Sequence, residues 1–416
     1  MSPAPRGGQY SVDIIDVSIQ FVLKAAMSMR ATAAALAILA ERQFLDFVTP
    51  SASALRLWLI RLGCYALIRP LERATDWVWL IDHTAQIGDR KLFAILGCRL
   101  SDIPFGRALC LADLKLIALV PMEKSNRETV AAILEEALLR TGVPRQIVSD
   151  GGSDVPGGSE RFIENHPKTT WALDVVHAAA NALETVWERD RRWHEFLRQL
   201  SETNQKIRQT KAAFLLAPLQ RQKVRFMKVG ITIRFATRVL RLLDAPVPLP
   251  AAEEKYAWLR AYRNDVAKWR DEHRIVETTV AIVRRDGLNA STRLAVEDAW
   301  GDLGKQLSLV MVVGRMRAYL NVQTRTVRPG ETLVGSTEAL EAAFGKWKRL
   351  EGDQSKSGLT SLTLSLGTIV SEWSEDDIRV GLDAVPEKVA YGWTKRNIGE
   401  SIQWLRRKLF AEPEPG

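Results

Sequence analysis

Two aspartates in this 416-residue chain each close a short apolar run: Asp82 in WVWLIDHT and Asp150 in RQIVSDGGSD. A strand end holds a side chain rigidly yet lets it reach solvent, and open sheets bind ligands at such ends. Two carboxylates placed side by side repel each other unless a cation lies between them. An all-oxygen ligand set points to Mg²⁺ or Mn²⁺. Taken singly, each aspartate also has a plainer use, capping a turn or facing water. Asp154, set off from the strand by Gly151 and Gly152, is a lesser rival to Asp150.

Two later patches add candidates. In LDVVHAAAN, Asp174 stands where a strand should give way to a helix, and it can cap that helix. His177 and Asn181 are one turn apart and share a face, either in a site or as a hydrogen-bonded core pair. In GSTEALEAAFGKWK, Ser336 or Thr337 can cap a new helix, which leaves Glu338 in its first turn, where the helix dipole alone favours an acid. Glu341 lies one turn further in, beside Leu340 and Phe344. An acid among apolar neighbours calls for a partner such as a metal or a base. Lys348 is two turns beyond Glu341 on roughly the same side, placed to contact a phosphate. The chain has no GxSxG elbow and no plausible Cys-His pairing.

These residues need a scaffold, and the hydrophobic pattern supplies one. Apolar runs at Trp77–Ile81, Leu92–Leu100, Leu114–Val120 and Gln146–Ser149, with a fifth at Thr170–Asp174, have the length and boundaries of buried strands. Asn126–Arg140 carries Val130, Ile133, Leu134, Ala137 and Leu138 on one helical face, and Thr141-Gly142 stops it. A Gly-rich loop follows Asp150. The pattern predicts a mixed sheet with helices packed on it. Ahead of the sheet, Ala33–Phe47 and Ala52–Ile68 read as two helices joined by a break at Thr49-Pro50, with Ser51 as N-cap of the second. With Arg56 and Arg61 on its second member, this pair is similar to a helix-turn-helix, although such pairs are mostly plain packing units. From Val176 to Leu320 the text is helical and rich in basic and aromatic residues, among them Arg191, Arg192, Arg221, Lys223 and Arg225. The last segment is helical and ends in Lys395, Arg396, Arg406, Arg407 and Lys408.

Lys and Arg outnumber Asp and Glu by 58 to 49, a surplus that suits a polyanion partner. Three cysteines without a CxxC pair argue against a disulfide scaffold and against a structural zinc site. The apolar stretch Ala31–Ala40 is far shorter than the ~20 residues a bilayer span needs. It follows Lys24 and Arg30 and lacks a cleavage site, so a soluble intracellular chain is expected, cytoplasmic or, in a bacterium, nucleoid-associated.

Acidic strand tips, a long helical block and a late helical Glu together resemble the DDE-type transposases, with their RNase H-like core and helical insertion. Asp174-x-x-His177 looks like the C/DxxH motif of hAT and related transposases. Glu341-Ala-Ala-Phe344 looks like the hAT segment in which the catalytic Glu precedes an aromatic by three. Glu341 to Lys348 has the Glu-to-Lys spacing of bacterial insertion-sequence transposases, and Pro50–Leu67 resembles the helix-turn-helix region ahead of such cores. The resemblance covers about Pro50 to Ile369. It departs from the hAT pattern at Ala342, where a basic residue is common, and from the bacterial pattern in lacking the Tyr and Arg before Glu, with Thr337 at the Arg position.

The resemblance implies an α/β chain in five parts. A helical helix-turn-helix-like DNA-binding region spans 1–75, and the first part of an RNase H-like core spans 76–175. An all-helical insertion spans 176–330, the last part of the core with its catalytic helix spans 331–370, and a basic helical tail spans 371–416. It also implies metal-dependent DNA cleavage and strand transfer at the ends of a mobile element, with Asp82, Asp150 and Glu341 holding two Mg²⁺ or Mn²⁺ ions and Glu338 as the alternative third acid. Double-stranded DNA, both element ends and target, would be held by Arg56, Arg61, His177, Arg191, Arg192, Lys346 and Lys348, by a homodimer or larger assembly. Trp171, Trp187 or Trp193 would either stack on an unpaired base or sit in the core. Two other functions fit the same residues: a catalytically inactive, transposase-derived DNA-binding regulator, and an RNase H-like nuclease without strand transfer.

Overall fold

The computed structural model describes residues 2–42, 47–85, 90–218, 226, 229–352 and 358–410. Arg221, Lys223 and Arg225, and residues 43–46 of the expected helix Ala33–Phe47, lie outside the described residues. Three helices open the chain: α1 (Val12–Leu23), α2 (Met29–Glu41) and α3 (Ala52–Ile68). Ser51 caps α3, its hydroxyl accepting from the Ala54 amide at 3.1 Å. Then come β1 (Trp77–Ala85), β2 (Lys91–Arg99), β3 (Lys115–Met122), α4 (Arg127–Thr141), β4 (Gln146–Ser149), α5 (Asp154–Asn165) and β5 (Thr170–Leu173). The expected Gly-rich loop after Asp150 is largely α5, a helix that runs through Gly157 and Gly158.

The helical block comprises α6 (Val175–Trp187), α7 (Arg191–Ile207), α8 (Val229–Leu243), α9 (Pro250–Tyr256), α10 (Arg263–Asp286), α11 (Thr292–Trp300) and α12 (Val310–Thr324). The chain closes with α13 (Glu338–Glu351), α14 (Ser365–Ile369), α15 (Glu375–Ala384), α16 (Glu387–Asn397) and α17 (Ile402–Leu409). No helix among the described residues is long and apolar enough to cross a membrane.

Two compact units divide these elements. The first contains Met1–Pro104, Leu109–Ala172 and Thr337–Gly416; the second contains Phe105–Ala108 and Leu173–Ser336. In the first unit the mixed sheet has the order β3-β2-β1-β4-β5. β1 pairs antiparallel with β2 and parallel with β4, with Leu80 opposite Val148. Alternation sends Trp77, Trp79 and Ile81 of β1, with Ile147 of β4, to one face, where they meet Val130 and Leu134 of α4 and Phe162 of α5. The other face is covered by α3, α13 and α14. A half-buried guanidinium ties layers together: Arg140 of α4 donates to the carbonyls of Leu116 and Ile117 in β3 and of Arg69 after α3. Burial, helped by nearby Arg69, lowers its pKa to about 10.

The α2–α3 pair exists, but α3 is a core helix. Leu55, Trp58, Leu59, Ile60, Leu62, Cys64 and Ala66 are all buried, against α1 and α15 on one side and Leu362 and Leu364 on another. A recognition helix needs a free polar face for a groove, and packing occupies most of this helix's surface. Its two arginines also serve the fold. Arg56 donates to Ser361 Oγ at 2.8 Å, and Arg61 donates to the carbonyls of Val385 (2.7 Å) and Leu382 at the end of α15. Arg61 is therefore a C-terminal helix cap, not an outward-facing DNA contact.

At the end of α13, Glu351 is 1% exposed and accepts from Thr360 Oγ1 at 3.1 Å. Burial pushes its carboxyl up to about 7 against the pull of Thr360 and Arg56. A carboxyl raised on folding binds its proton more tightly in the native state, so the contribution of Glu351 to stability is fully present below about pH 4.5 and is lost as pH rises through about 7. Between pH 4.5 and pH 8 the wild type should lose up to about 3 kcal/mol more stability than Glu351→Gln. Urea unfolding at both pH values measures this, and parallel losses in the two proteins would contradict it.

In the second unit, α6 packs against α10 and α12. Its core is aromatic: the Trp187 and Trp193 rings lie 4.7 Å apart and those of Trp193 and Trp269 lie 4.9 Å apart. Trp187 Nε1 donates to the buried Glu272 at 2.6 Å. Both Trp187 and Trp193 are fully buried, which gives them core roles and removes them as stacking platforms.

Candidate active site at the acidic strand tips

Asp82 does not close its strand as expected: β1 continues through Ala85, and Asp82 pairs with Ala94 of β2 inside the ladder. It lies two residues past Leu80, and Asp150 follows β4 two residues past Val148. Because Leu80 and Val148 are paired across parallel strands, the two aspartates come level with each other just beyond the last paired residues of β1 and β4. Side chains two residues apart share a face, so Asp82 aligns with Leu80, opposite the α4–α5 layer. Asp150, just beyond the strand, continues the Val148 side. That side is the one on which α13 packs against β1.

Both carboxylates are half-buried. Asp82 Oδ1 accepts from the His83 amide at 2.6 Å, and Asp150 Oδ1 accepts from the Gly152 amide at 3.3 Å. The second bond is an Asx-type turn that fixes the carboxylate at the strand tip. Asp154, the first residue of α5, is close by: a Cβ on Gly152 would lie 3.4 Å from Asp150 Oδ1 and 3.6 Å from Asp154 Oδ1. Burial alone would raise the Asp154 carboxyl, but the Ser125 hydroxyl and the nearby His83 and Lys91 outweigh it and hold it below its ordinary value.

The late glutamates are both on α13. Its buried stripe runs through Leu340, Ala343, Phe344 and Trp347. At 3.6 residues per turn, Glu341 and Lys348 lie together along one edge of that stripe, and Glu338 lies further round toward the outer side. Glu341 and Glu338 are half-buried, and Lys348 is exposed. Within the first unit taken by itself, no three acid, His or Cys side chains among the described residues bring ligand atoms all within 4.8 Å of one another. Asp82, Asp150 and Glu341 thus share a sheet face and its covering helix without forming a closed ligand cage. Their oxygen-only chemistry suits a hard divalent cation.

In the second unit, Asp174 is the N-cap of α6, as its position after β5 implies. Its Oδ1 accepts from the Val176 amide at 2.8 Å, and its Oδ2 lies 3.4 Å from His177 Nδ1. Asp174 is fully buried and His177 half-buried. The basic residues proposed for DNA divide by environment. Arg191 is exposed and pairs with Glu195 at 2.9 Å. Arg192 pairs with Asp265 at 2.7 Å and lies 4.2 Å over the Tyr262 ring, so its charge is largely spent within its own unit. Lys346 reaches the Leu23 carbonyl at 3.5 Å. Trp171 donates to Ser149 Oγ at 2.9 Å, next to the Asp150 tip.

Sequence reasoning overlooked Glu351. Its signal was present, as an acid following the Trp347–Leu350 turn, but the partners that make it unusual lie in other helices.

No protein-family model matches the chain, and no curated protein matches it. Among solved structures, it is similar to the Drosophila P element transposase strand transfer complex, with a TM-score of 0.42 and 12% sequence identity over 87% of this chain and 92% of that one.

Proposed function

We propose that this chain is a DDE-type transposase with an RNase H-like core, cutting the ends of a mobile element and joining them to target DNA. The observation that carries the reading is the placement of Asp82 and Asp150 level with each other on adjacent parallel strands, each two residues past the Leu80–Val148 pair and facing the layer that contains the Glu341 helix. In this reading Asp82, Asp150 and Glu341 would hold the divalent metal. Ions bound there would activate a water or 3′-hydroxyl and stabilise the leaving oxygen of an in-line displacement. The chain's own residues do the holding: the Gly152 amide orients Asp150, the His83 amide orients Asp82, and the buried stripe of α13 fixes the Glu341 backbone. Lys348 on the same edge of α13 would contact a phosphate, and the exposed basic residues of α7, α16 and α17 would hold the DNA backbone, which brings affinity without sequence information.

The experiment is Mg²⁺-dependent cleavage and joining of DNA carrying the boundaries of the element that encodes the chain. Cutting followed by joining supports the proposal; cutting without joining favours a nuclease, and binding without cutting favours a regulator. Glu341→Gln should abolish cleavage and Glu338→Gln should leave it within about threefold of wild type, because a ligand lost from a metal site costs several kcal/mol and an acid outside that site does not. Retained activity in Glu341→Gln would remove it as the third acid.

A further inference from the structure

A second site lies in the first unit, apart from the strand tips. The start of α2, the start of α3 and the end of α13 enclose a cavity of about 730 Å³, within the range of small-ligand pockets. Four cationic side chains line it: Arg30 from α2, Arg56 from α3, and Lys346 and Arg349 from α13. Among the described residues none of the four makes a salt bridge, whereas Arg99, Arg192 and Arg260 lie 2.6 Å, 2.7 Å and 2.6 Å from Glu72, Asp265 and Glu253. The first turns of α2 and α3 also open onto the cavity, at Met29 and Arg30 and at Ala52 and Ser53. Unbonded amides there, at the positive ends of two helix dipoles, favour an anion.

Glu351, 1% exposed, also lines the cavity beside Arg56. Val22, Met27 and Leu350 supply an apolar wall.

We propose that this cavity binds a small phosphomonoester: its phosphate is held by Arg30, Arg56, Lys346 and Arg349, and its apolar body rests on the Val22–Leu350 wall. A phosphodiester in DNA carries one negative charge where a monoester near neutral pH carries close to two, so four cationic side chains favour the monoester.

The test uses the full chain and phenyl phosphate, titrated by calorimetry, with a random-sequence DNA duplex in a second arm. The expected result is one phenyl phosphate per chain, weakened about tenfold or more by the double variant Arg30→Ala/Arg349→Ala, since each removed charge-assisted bond contributes a kilocalorie or more. Both arginines are exposed, and an unchanged thermal midpoint in the variant would confirm that the fold survives. Three results would overturn the proposal: no heat with phenyl phosphate at millimolar concentration, binding indifferent to the double variant, or binding of the duplex alone through these arginines. None of these outcomes bears on Asp82, Asp150 or Glu341, whose own test is metal binding and DNA cleavage.

Discussion

Asp82→Asn will abolish cleavage of element-end DNA, by about a thousandfold or more, and leave DNA affinity within a few-fold. The asymmetry follows from what the substitution removes. Asn keeps the size of the side chain and its carbonyl oxygen, so the bond from the His83 amide to position 82 survives. What disappears is the anionic charge of a side chain proposed to hold divalent metal, and a loss of about 4 kcal/mol of transition-state stabilisation is a thousandfold in rate. Phosphate contacts come from Lys and Arg and are untouched. Gel-shift titration and a cleavage assay on the same preparation separate the two quantities. A variant that cuts at the wild-type rate refutes the role of Asp82, and one that loses DNA affinity in parallel points to misfolding.

Gly63→Ala is expected to destabilise the first unit by about 3 kcal/mol or more. The reason is contact between backbones. A Cβ at Gly63 would lie 1.8 Å from the Leu364 carbonyl oxygen and 2.5 Å from its carbon, in the turn that leads into α14. Gly367 makes the reciprocal approach, since a Cβ there would lie 2.6 Å from the Gly63 oxygen. Because the obstructing atoms are main chain, no rotamer change relieves the clash, and α3 must shift within a packed layer. Overpacking in a core ordinarily costs 1–3 kcal/mol, and here the whole helix contact is at stake. Urea unfolding gives the number, and a change under about 0.5 kcal/mol would show that α3 and α14 are less closely joined than described.

The elements that were legible are those whose signals are local. Ser51 and the apolar run after it define α3 to the residue, because a cap and a helical periodicity lie within one stretch of chain. The runs ending in Asp82 and Asp150 read as strands because their interior residues are buried on both faces, and Asp174 read as a cap because it stands between β5 and α6. The misreadings are tertiary. Gly157 and Gly158 suggest a loop, yet they sit inside α5, where a Cβ on Gly158 would come 2.5 Å from Val130 on α4. Close helix packing there requires glycine and overrides its poor helix propensity. Arg61 looked like a DNA contact because its carbonyl partners at Leu382 and Val385 are more than 300 residues away in sequence. Glu351 could not be singled out either, since its burial depends on Thr360 and on Arg56 from another helix.

The central claim is that Asp82, Asp150 and Glu341 jointly hold two divalent ions, and Mn²⁺ titration followed by electron paramagnetic resonance reads this without any DNA substrate. Wild-type protein should take up two Mn²⁺ per chain with the spin-coupled spectrum of a closely spaced pair. Asp82→Asn should lose the coupling, Glu341→Gln should lose one ion, and Glu338→Gln should match wild type. Uncoupled or absent Mn²⁺ in the wild type, or a paired spectrum that survives both Asp82→Asn and Glu341→Gln, would contradict the account.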